Sequence, residues 1–191
     1  LFRSSSLKTF TQNILQSHNL ASVTGILIAS TASAAQTVSS NTVYNLSNSN
    51  SSFAGGVTGI FFRATSTTST VSSNFIHSLS VTGASSTAAT LCGIRIDAGT
   101  TTYSNNIISL GGNTTTNVKG IAETGASGTT NALYFNTVNI SGSLSSGATN
   151  TSYALYSNAN TNTRDFRNNI LVNTRSTISG ANKHYALYAV S

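Results

Sequence analysis

The segment TTYSNNIISL, residues 101–110, decides the fold, because its pattern of asparagine followed by an apolar residue returns along the whole chain. Related segments are VSSNFIHSLS at residues 71–80 and NALYFNTV at residues 131–138. Successive copies follow one another at a nearly constant interval, which is typical of a solenoid in which each repeat forms one turn. The asparagines of this series are Asn13, Asn41, Asn74, Asn105, Asn136 and Asn168, and its apolar residues are Ile14, Val43, Ile76, Ile107, Val138 and Ile170.

A second series, a small residue followed by Ile or Leu, recurs in step with the first at nearly the same interval. Apolar and polar residues alternate around it, as at Ile26 and Ile28, which indicates half-buried β-strands rather than helices. The members of this series are Gly25-Ile26, Gly59-Ile60, Gly93-Ile94, Gly120-Ile121, Ala154-Leu155 and Ala186-Leu187.

Three short strands per repeat, with no helix between them, predict an all-β fold. The expected architecture is a single right-handed parallel β-helix solenoid over residues 1–191, with about six turns of roughly 31 residues. Each apolar series is expected to form one interior column, since it repeats once per turn. Substitution of Ile107 by Asp should then abolish folding of the central turns, because an unpaired carboxylate among apolar side chains is costly.

The recurring polar and small residues have structural explanations. Asparagine tolerates left-handed backbone at a bend, and its side-chain amide can hydrogen-bond to the asparagine one turn away. The glycines of the second series indicate close approach of backbone segments. One conflict concerns Lys119, Ile121 and Glu123, which share one face of a regular strand. In a regular strand Ile121 cannot point inward unless Lys119 or Glu123 follows it, so a bulge or a strand end is expected there.

The charged residues are few and scattered, which argues against several functions. There are 9 Lys and Arg residues against 3 acidic ones, without the clustered basic face of a nucleic-acid-binding protein. No apolar run reaches the roughly 18 residues of a membrane-spanning helix. The single cysteine, Cys92, has no partner for an intrachain disulfide and is expected to be a small, half-buried apolar residue.

The three acidic residues, Asp97, Glu123 and Asp165, do not predict an active site. Glycoside hydrolysis needs two carboxylates about 5–9.5 Å apart, and Asp165 falls on a different side of the coil from the other two. Asp97 and Glu123 could approach each other, but each is expected to pair with Arg95 or Lys119. The three histidines lie at unrelated positions of the repeat: His18, His77 and His184. We therefore expect a non-enzymatic protein without catalytic residues, metal ligands or cofactor.

Segments 71–80, 101–110, 131–138 and 165–170 together resemble a known family. They look like the β-strand repeats of very large secreted surface proteins of bacteria of the Bacteroidetes group, and the resemblance covers nearly the whole chain. It implies an extracellular or cell-surface protein with a structural or adhesive role, commonly exported by the type IX route. The family offers no catalytic motif to carry over.

The expected function is a stiff stalk, fibre or filament segment whose partners are copies of itself joined end to end. The alternatives are a carbohydrate-binding or carbohydrate-cleaving β-helix and, on account of recurring threonine runs, an ice-binding surface. Surface glycans would bind through aromatic residues that recur once per repeat, although ladder packing is the commoner reason for such pairs. These candidate surface residues are Tyr153, Tyr156, Tyr185 and Tyr188.

Overall fold

The computed structural model describes residues 2–3, 9–10, 22–31, 34–65, 68–81, 88–125, 130–144, 150–159, 161–177 and 182–190. These residues form 22 β-strands and no helix. The strands in chain order are Phe2–Arg3 (β1), Thr9–Phe10 (β2), Val23–Ile28 (β3), Thr37–Ser39 (β4), Thr42–Tyr44 (β5), Ser47–Asn48 (β6), Gly56–Phe62 (β7), Ser69–Ser72 (β8), Phe75–His77 (β9), Ser80–Val81 (β10), Thr90–Ile96 (β11), Thr101–Ser104 (β12), Ile107–Leu110 (β13), Asn117–Glu123 (β14), Thr130–Tyr134 (β15), Thr137–Ile140 (β16), Ser143–Leu144 (β17), Ser152–Ser157 (β18), Thr163–Arg167 (β19), Ile170–Asn173 (β20), Ser176–Thr177 (β21) and His184–Ala189 (β22).

Three parallel sheets of six strands each run along the solenoid. Sheet 1 has the order β1-β4-β8-β12-β15-β19, sheet 2 the order β2-β5-β9-β13-β16-β20, and sheet 3 the order β3-β7-β11-β14-β18-β22. Two additional two-stranded parallel sheets, β6-β10 and β17-β21, lie between sheets 2 and 3 in the chain. Each coil therefore contributes one strand to each main sheet, which confirms the all-β parallel solenoid.

About four coils are complete, fewer than the six predicted from the repeats. The first coil is represented in sheets 1 and 2 by the two-residue strands β1 and β2. The last coil, from β19 to β22, has one uncovered side, so Leu187 is 49% exposed although its stacked neighbour Leu155 is buried. Among the described residues, no helix has the length and hydropathy needed to cross a membrane.

The second predicted apolar series forms a column through sheet 3 as expected. Each member pairs with its counterpart in the next coil, and all except the last are buried. Stacking of identical or similar branched side chains packs the interior because parallel strands lie about 4.8 Å apart. The column comprises Ile26, Ile60, Ile94, Ile121, Leu155 and Leu187.

The first predicted series is wrong by one residue in two coils. The interior column of sheet 2 contains Ile108 and Leu171, whereas Ile107 and Ile170 point outward and are 50% and 59% exposed. The loss of folding that the sequence predicted for Ile107→Asp is therefore expected of Ile108→Asp instead. In the other described coils the column has the predicted residues, all fully buried: Val43, Ile76 and Val138. Ile14 and Asn13 lie outside the described residues, and Phe10 is the residue paired with Val43.

The asparagine series needs the same correction, because Asn106 and Asn169, not Asn105 and Asn168, belong to the ladder. Each ladder amide donates to the Oδ1 of the next asparagine at 2.9 Å. The replaced pair, Asn105 and Asn168, have φ of 54° and 53°, so they supply the left-handed residue that turns the chain from sheet 1 into sheet 2. The ladder is Asn41, Asn74, Asn106, Asn136 and Asn169.

Close backbone approach accounts for the glycine slot. A Cβ at Gly93 would lie 2.6 Å from the carbonyl oxygen of Gly120 and 2.6 Å from Cγ2 of Ile108. Strand pairing is interrupted at this slot in each coil of sheet 3: the register passes from Cys92–Lys119 to Ile94–Ile121. The predicted irregularity is therefore present.

The irregularity sorts the side chains on either side of Gly120. Ile121 and Glu123 are buried in the interior, whereas Lys119 lies on the outer face of sheet 3 and is half-buried. The outer face of sheet 3 therefore carries Lys119, whereas a regular strand would place Lys119 on the same face as Ile121.

Candidate functional site

The four tyrosines named from the sequence lie together on the outer face of sheet 3. Tyr153 stacks on Tyr185 with ring centroids 5.4 Å apart, and Tyr156 stacks on Tyr188 at 5.5 Å. The two stacks also touch, since the Tyr153 and Tyr156 centroids are 4.9 Å apart. Their side chains are half-buried. We call these four residues the tyrosine cluster.

Lys119 lies directly beside the tyrosine cluster, because its strand β14 pairs with β18. The Nζ atom is 3.8 Å from the ring centroid of Tyr156 and 5.9 Å from that of Tyr153. Burial lowers the pKa of the Lys119 ammonium, an effect that Cys92 opposes and Arg95 reinforces. The tyrosine rings provide partial compensation for the charge through cation–π attraction.

A concavity of about 430 Å³ continues from Lys119 towards the earlier coils. Its floor includes small side chains from three strands of sheet 3: Thr58 and Cys92, which pair across β7 and β11, and Ala122 of β14, which pairs with Arg95. Arg95 and Lys119 rise beside the floor. Small residues at outward positions thus create a depression that the longer side chains border.

Arg95 is held in place by its neighbours. Its Nε and Nη2 atoms each donate to the Asp97 carboxylate at 2.9 Å, and its guanidinium carbon lies 4.6 Å from the Phe61 ring centroid. The hydroxyl of Thr124 also donates to Asp97, at 2.6 Å. Asp97 therefore already neutralises Arg95. Arg95 forms part of the wall of the concavity and adds little net charge to it.

Cys92 is buried, more deeply than the half-buried position that the sequence predicted. Burial raises the pKa of its thiol to about 12, although Lys119 and Arg95 oppose the shift. The thiol is therefore protonated at physiological pH, and it acts as the small apolar residue that the sequence predicted.

The three acidic residues do not come together. Asp97 is at the surface with Arg95, as expected, whereas Glu123 is fully buried in the interior. The Glu123 partners were missed by sequence reasoning: Nδ2 of Asn131 donates to it at 2.8 Å, the Ser157 hydroxyl donates to it, and Nε of Arg164 lies 3.7 Å away. These contacts hold the carboxylate inside the solenoid.

Asp165 lies on sheet 1, remote in the fold from the outer face of sheet 3. Nε of Arg167 and the hydroxyl of Tyr134 each donate to its carboxylate at 2.5 Å. The tyrosine hydrogen bond is the largest cause of the lowered pKa of Asp165, with Arg167 contributing further and slight burial opposing. Every acidic residue of the chain thus has an arginine partner.

The histidines are equally dispersed. His77 lies on the outer face of sheet 2, where its ring stacks on Tyr44 with centroids 5.1 Å apart. His184 hydrogen-bonds at 2.8 Å to the hydroxyls of Ser152 and Thr177. His18 lies outside the described residues. In the part of the chain that the structure describes, no three His, Cys, Asp or Glu residues are arranged to hold a metal ion.

Sequence reasoning therefore found the tyrosines but missed the cation beside them. The signal was present, since Lys119 precedes Tyr153 by one solenoid repeat and pairs with it across neighbouring strands. The irregular strand at Gly120 obscured on which face the lysine lies.

Comparison with known proteins adds no relative. No protein-family model, curated protein or solved structure matches the chain significantly. The chain is thus classified by its own architecture, as a parallel β-solenoid with an interior asparagine ladder and an outer face that carries the tyrosine cluster.

Proposed function

We propose that this protein is a non-enzymatic structural or adhesive solenoid, a rigid segment that presents a binding face. The asparagine ladder is the observation that carries the proposal. In each of its central coils, one side-chain hydrogen of the asparagine is donated to the next asparagine and the other to a backbone carbonyl, as for Asn106 and the carbonyl of Val71 at 2.9 Å. Such bonds join neighbouring coils in addition to the backbone ladders of three sheets.

The pairing of the acidic residues with arginine further supports a role without catalysis. A general acid or base must be able to exchange protons with a substrate. Glu123 is instead buried, and Asp97 and Asp165 each accept hydrogen bonds from an arginine. The ion pair of Glu123 with Arg164 instead joins β14 to β19.

We also propose an extracellular or cell-surface location and end-to-end association through further coils. The resemblance of the repeats to those of large secreted surface proteins of the Bacteroidetes group supports the location. Repetition of the same interior positions from coil to coil supports the association, because strands of a further copy could pair in the same register. Surface biotinylation of intact cells would test the location: failure to label the protein, with labelling of a known surface protein, would refute it.

Single-molecule pulling between the two ends of the chain tests the rigid segment. Coils of 30 to 33 residues should detach in discrete events, each adding about 100 Å of contour length. Extension at low force without discrete events would contradict the proposal. Electron microscopy tests the association separately, since filaments are expected and isolated particles at high protein concentration would exclude it.

A further inference from the structure

We propose that the concavity beside Lys119 binds an acidic saccharide, with the ligand carboxylate at the lysine ammonium and its sugar ring against the tyrosine cluster. The proposal deepens the adhesive role suggested above, on which it rests, by naming the class of ligand. It is carried by charge complementarity, by the shape of the concavity and by the tyrosine cluster, which contacts Lys119 from the side of the later coils.

All acidic side chains of the protein are already in ion pairs. The chain has only three acidic residues, and each has an arginine partner: Asp97 with Arg95, Glu123 with Arg164 and Asp165 with Arg167. No acidic side chain is left to neutralise Lys119, which is nevertheless half-buried. A half-buried cation without a counter-ion is most strongly stabilised by an anion that comes from outside.

The pKa of Lys119 agrees with a role in binding an external anion. Burial lowers the pKa of Lys119, which means that the surroundings stabilise its charge less well than water does. A bound carboxylate would reverse this effect and raise the pKa. Ligand binding and lysine protonation are therefore coupled, and the coupling can be measured.

The concavity matches a small saccharide in size and lining. Its volume of about 430 Å³ lies within the range of small-molecule sites. Its lining includes the hydroxyl-bearing residues Thr58, Thr90 and Thr124 in addition to the small floor residues. Hydroxyls both donate and accept, as the hydroxyls of a sugar require.

The tyrosine cluster supplies the remaining contact surface. A tyrosine offers an apolar ring and a polar hydroxyl on one side chain, so it can contact both the C–H groups and the hydroxyls of a sugar. Burial and the neighbouring tyrosines raise the pKa of Tyr156, so this phenol keeps the proton that it would donate.

A saccharide explains the site better than a nucleic acid does. Binding of a phosphate backbone needs several cations along its path. Here Arg95 is neutralised by Asp97, and Lys119 is the cation in the concavity without an acidic partner. One such cation suits a ligand with a single carboxylate at that point.

The test is titration calorimetry with trisaccharides of galacturonate, glucuronate, mannuronate and guluronate, and with neutral galactotriose. At least one acidic trisaccharide should bind, and Lys119→Gln should weaken it roughly tenfold or more, because a charge-assisted hydrogen bond is lost. The matched control is Lys183→Gln, which removes the same charge from an exposed position and should change the affinity less than about twofold. Lys119→Arg should retain most of the binding.

Further measurements distinguish a loss of ligand binding from a loss of folding. Thermal unfolding followed by circular dichroism should show Lys119→Gln folded, and NMR titration should show the Lys119 pKa rising when the trisaccharide binds. No binding of any acidic trisaccharide, equal binding of galactotriose, or tighter binding of an oligothymidylate would overturn the proposal. If any of these results were found and the chain still unfolded in steps under force, the saccharide site would be rejected but the proposed rigid segment would be retained.

Discussion

Removal of one ladder amide should destabilise the solenoid far more than removal of its sequence neighbour. Asn106→Ala deletes four hydrogen bonds: two that its amide donates, to Oδ1 of Asn136 and the carbonyl of Val71, and two that its Oδ1 accepts from Asn74. Asn106 is fully buried, so the partners left behind cannot reach water. At about 1 kcal/mol net for each bond, the expected loss is about 4 kcal/mol of unfolding free energy.

The matched variant is Asn105→Ala, one residue earlier. Asn105 has a φ of 54°, and Ala in this left-handed conformation costs roughly 1–2 kcal/mol more than Gly. Asn105→Gly should change stability by only a few tenths of a kcal/mol, because glycine adopts this conformation freely. The three variants therefore rank in an order that depends on which asparagine belongs to the ladder.

Equilibrium unfolding in urea measures the ranking, with the slope of the transition compared between variants to verify that the same structure unfolds. Asn106→Ala should shift the midpoint most and Asn105→Gly least. If Asn105→Ala and Asn106→Ala were equally destabilising, or if Asn105→Ala were worse, the assignment of the ladder would be refuted.

Four other substitutions test the register and the surface. Ile108→Ala should cost about 2–5 kcal/mol of stability and Ile107→Ala less than about 1 kcal/mol, since Ile108 is fully buried and Ile107 is half exposed; thermal unfolding of both would decide. Phe135→Asn should stabilise the chain by about 1 kcal/mol, because Phe135 is 58% exposed and has a φ of 55° that asparagine adopts more readily; a lower urea midpoint would contradict this. Tyr134→Phe should raise the pKa of Asp165 towards its ordinary value of 3.8, as measured by carboxyl carbon NMR. Because the pKa of Asp165 is lowered in the folded state, its carboxylate stabilises the fold above pH 3.8, and this contribution is lost as the pH falls through the folded-state pKa. The variant has less of this contribution to lose, so its stability should fall less on acidification. An unchanged pKa of Asp165 would exclude the hydrogen bond from Tyr134.

The fold class could be predicted because it depends on a period rather than on single residues. Ile60 and Ile94 repeat once per coil, and any wrong register would bring polar residues into the interior column. The glycine slot was equally predictable, because close backbone approach at Gly93 excludes larger side chains in a way that shows in the sequence.

The register in two coils could not be predicted, because paired asparagines are ambiguous. Asn105 and Asn106 differ only in backbone conformation: one turns the chain and the other joins the ladder. Each is followed by isoleucine, Asn106 directly and Asn105 after one residue, so the apolar pattern does not separate Ile107 from Ile108. A rule that places the left-handed residue before the ladder residue would have resolved both coils.

The interior ion pair was also beyond sequence reasoning. Glu123 and Arg164 are separated by more than one repeat and lie on different sheets, so no single repeat spacing joins them. Sequence parity predicted a conflict at Ile121, but only the interrupted pairing at Gly120 explains how Lys119 reaches the outer face. The candidate site depends on that local irregularity.

The most direct test of a rigid solenoid with one ligand-binding face is NMR chemical-shift mapping during titration with an acidic trisaccharide. The account predicts that the largest changes fall at Lys119, Ala122 and Tyr156 on the outer face of sheet 3, with the shifts of the ladder asparagines unchanged. Changes centred on Phe75 and Ile107, on the outer face of sheet 2, or shifts spread through the ladder would contradict it.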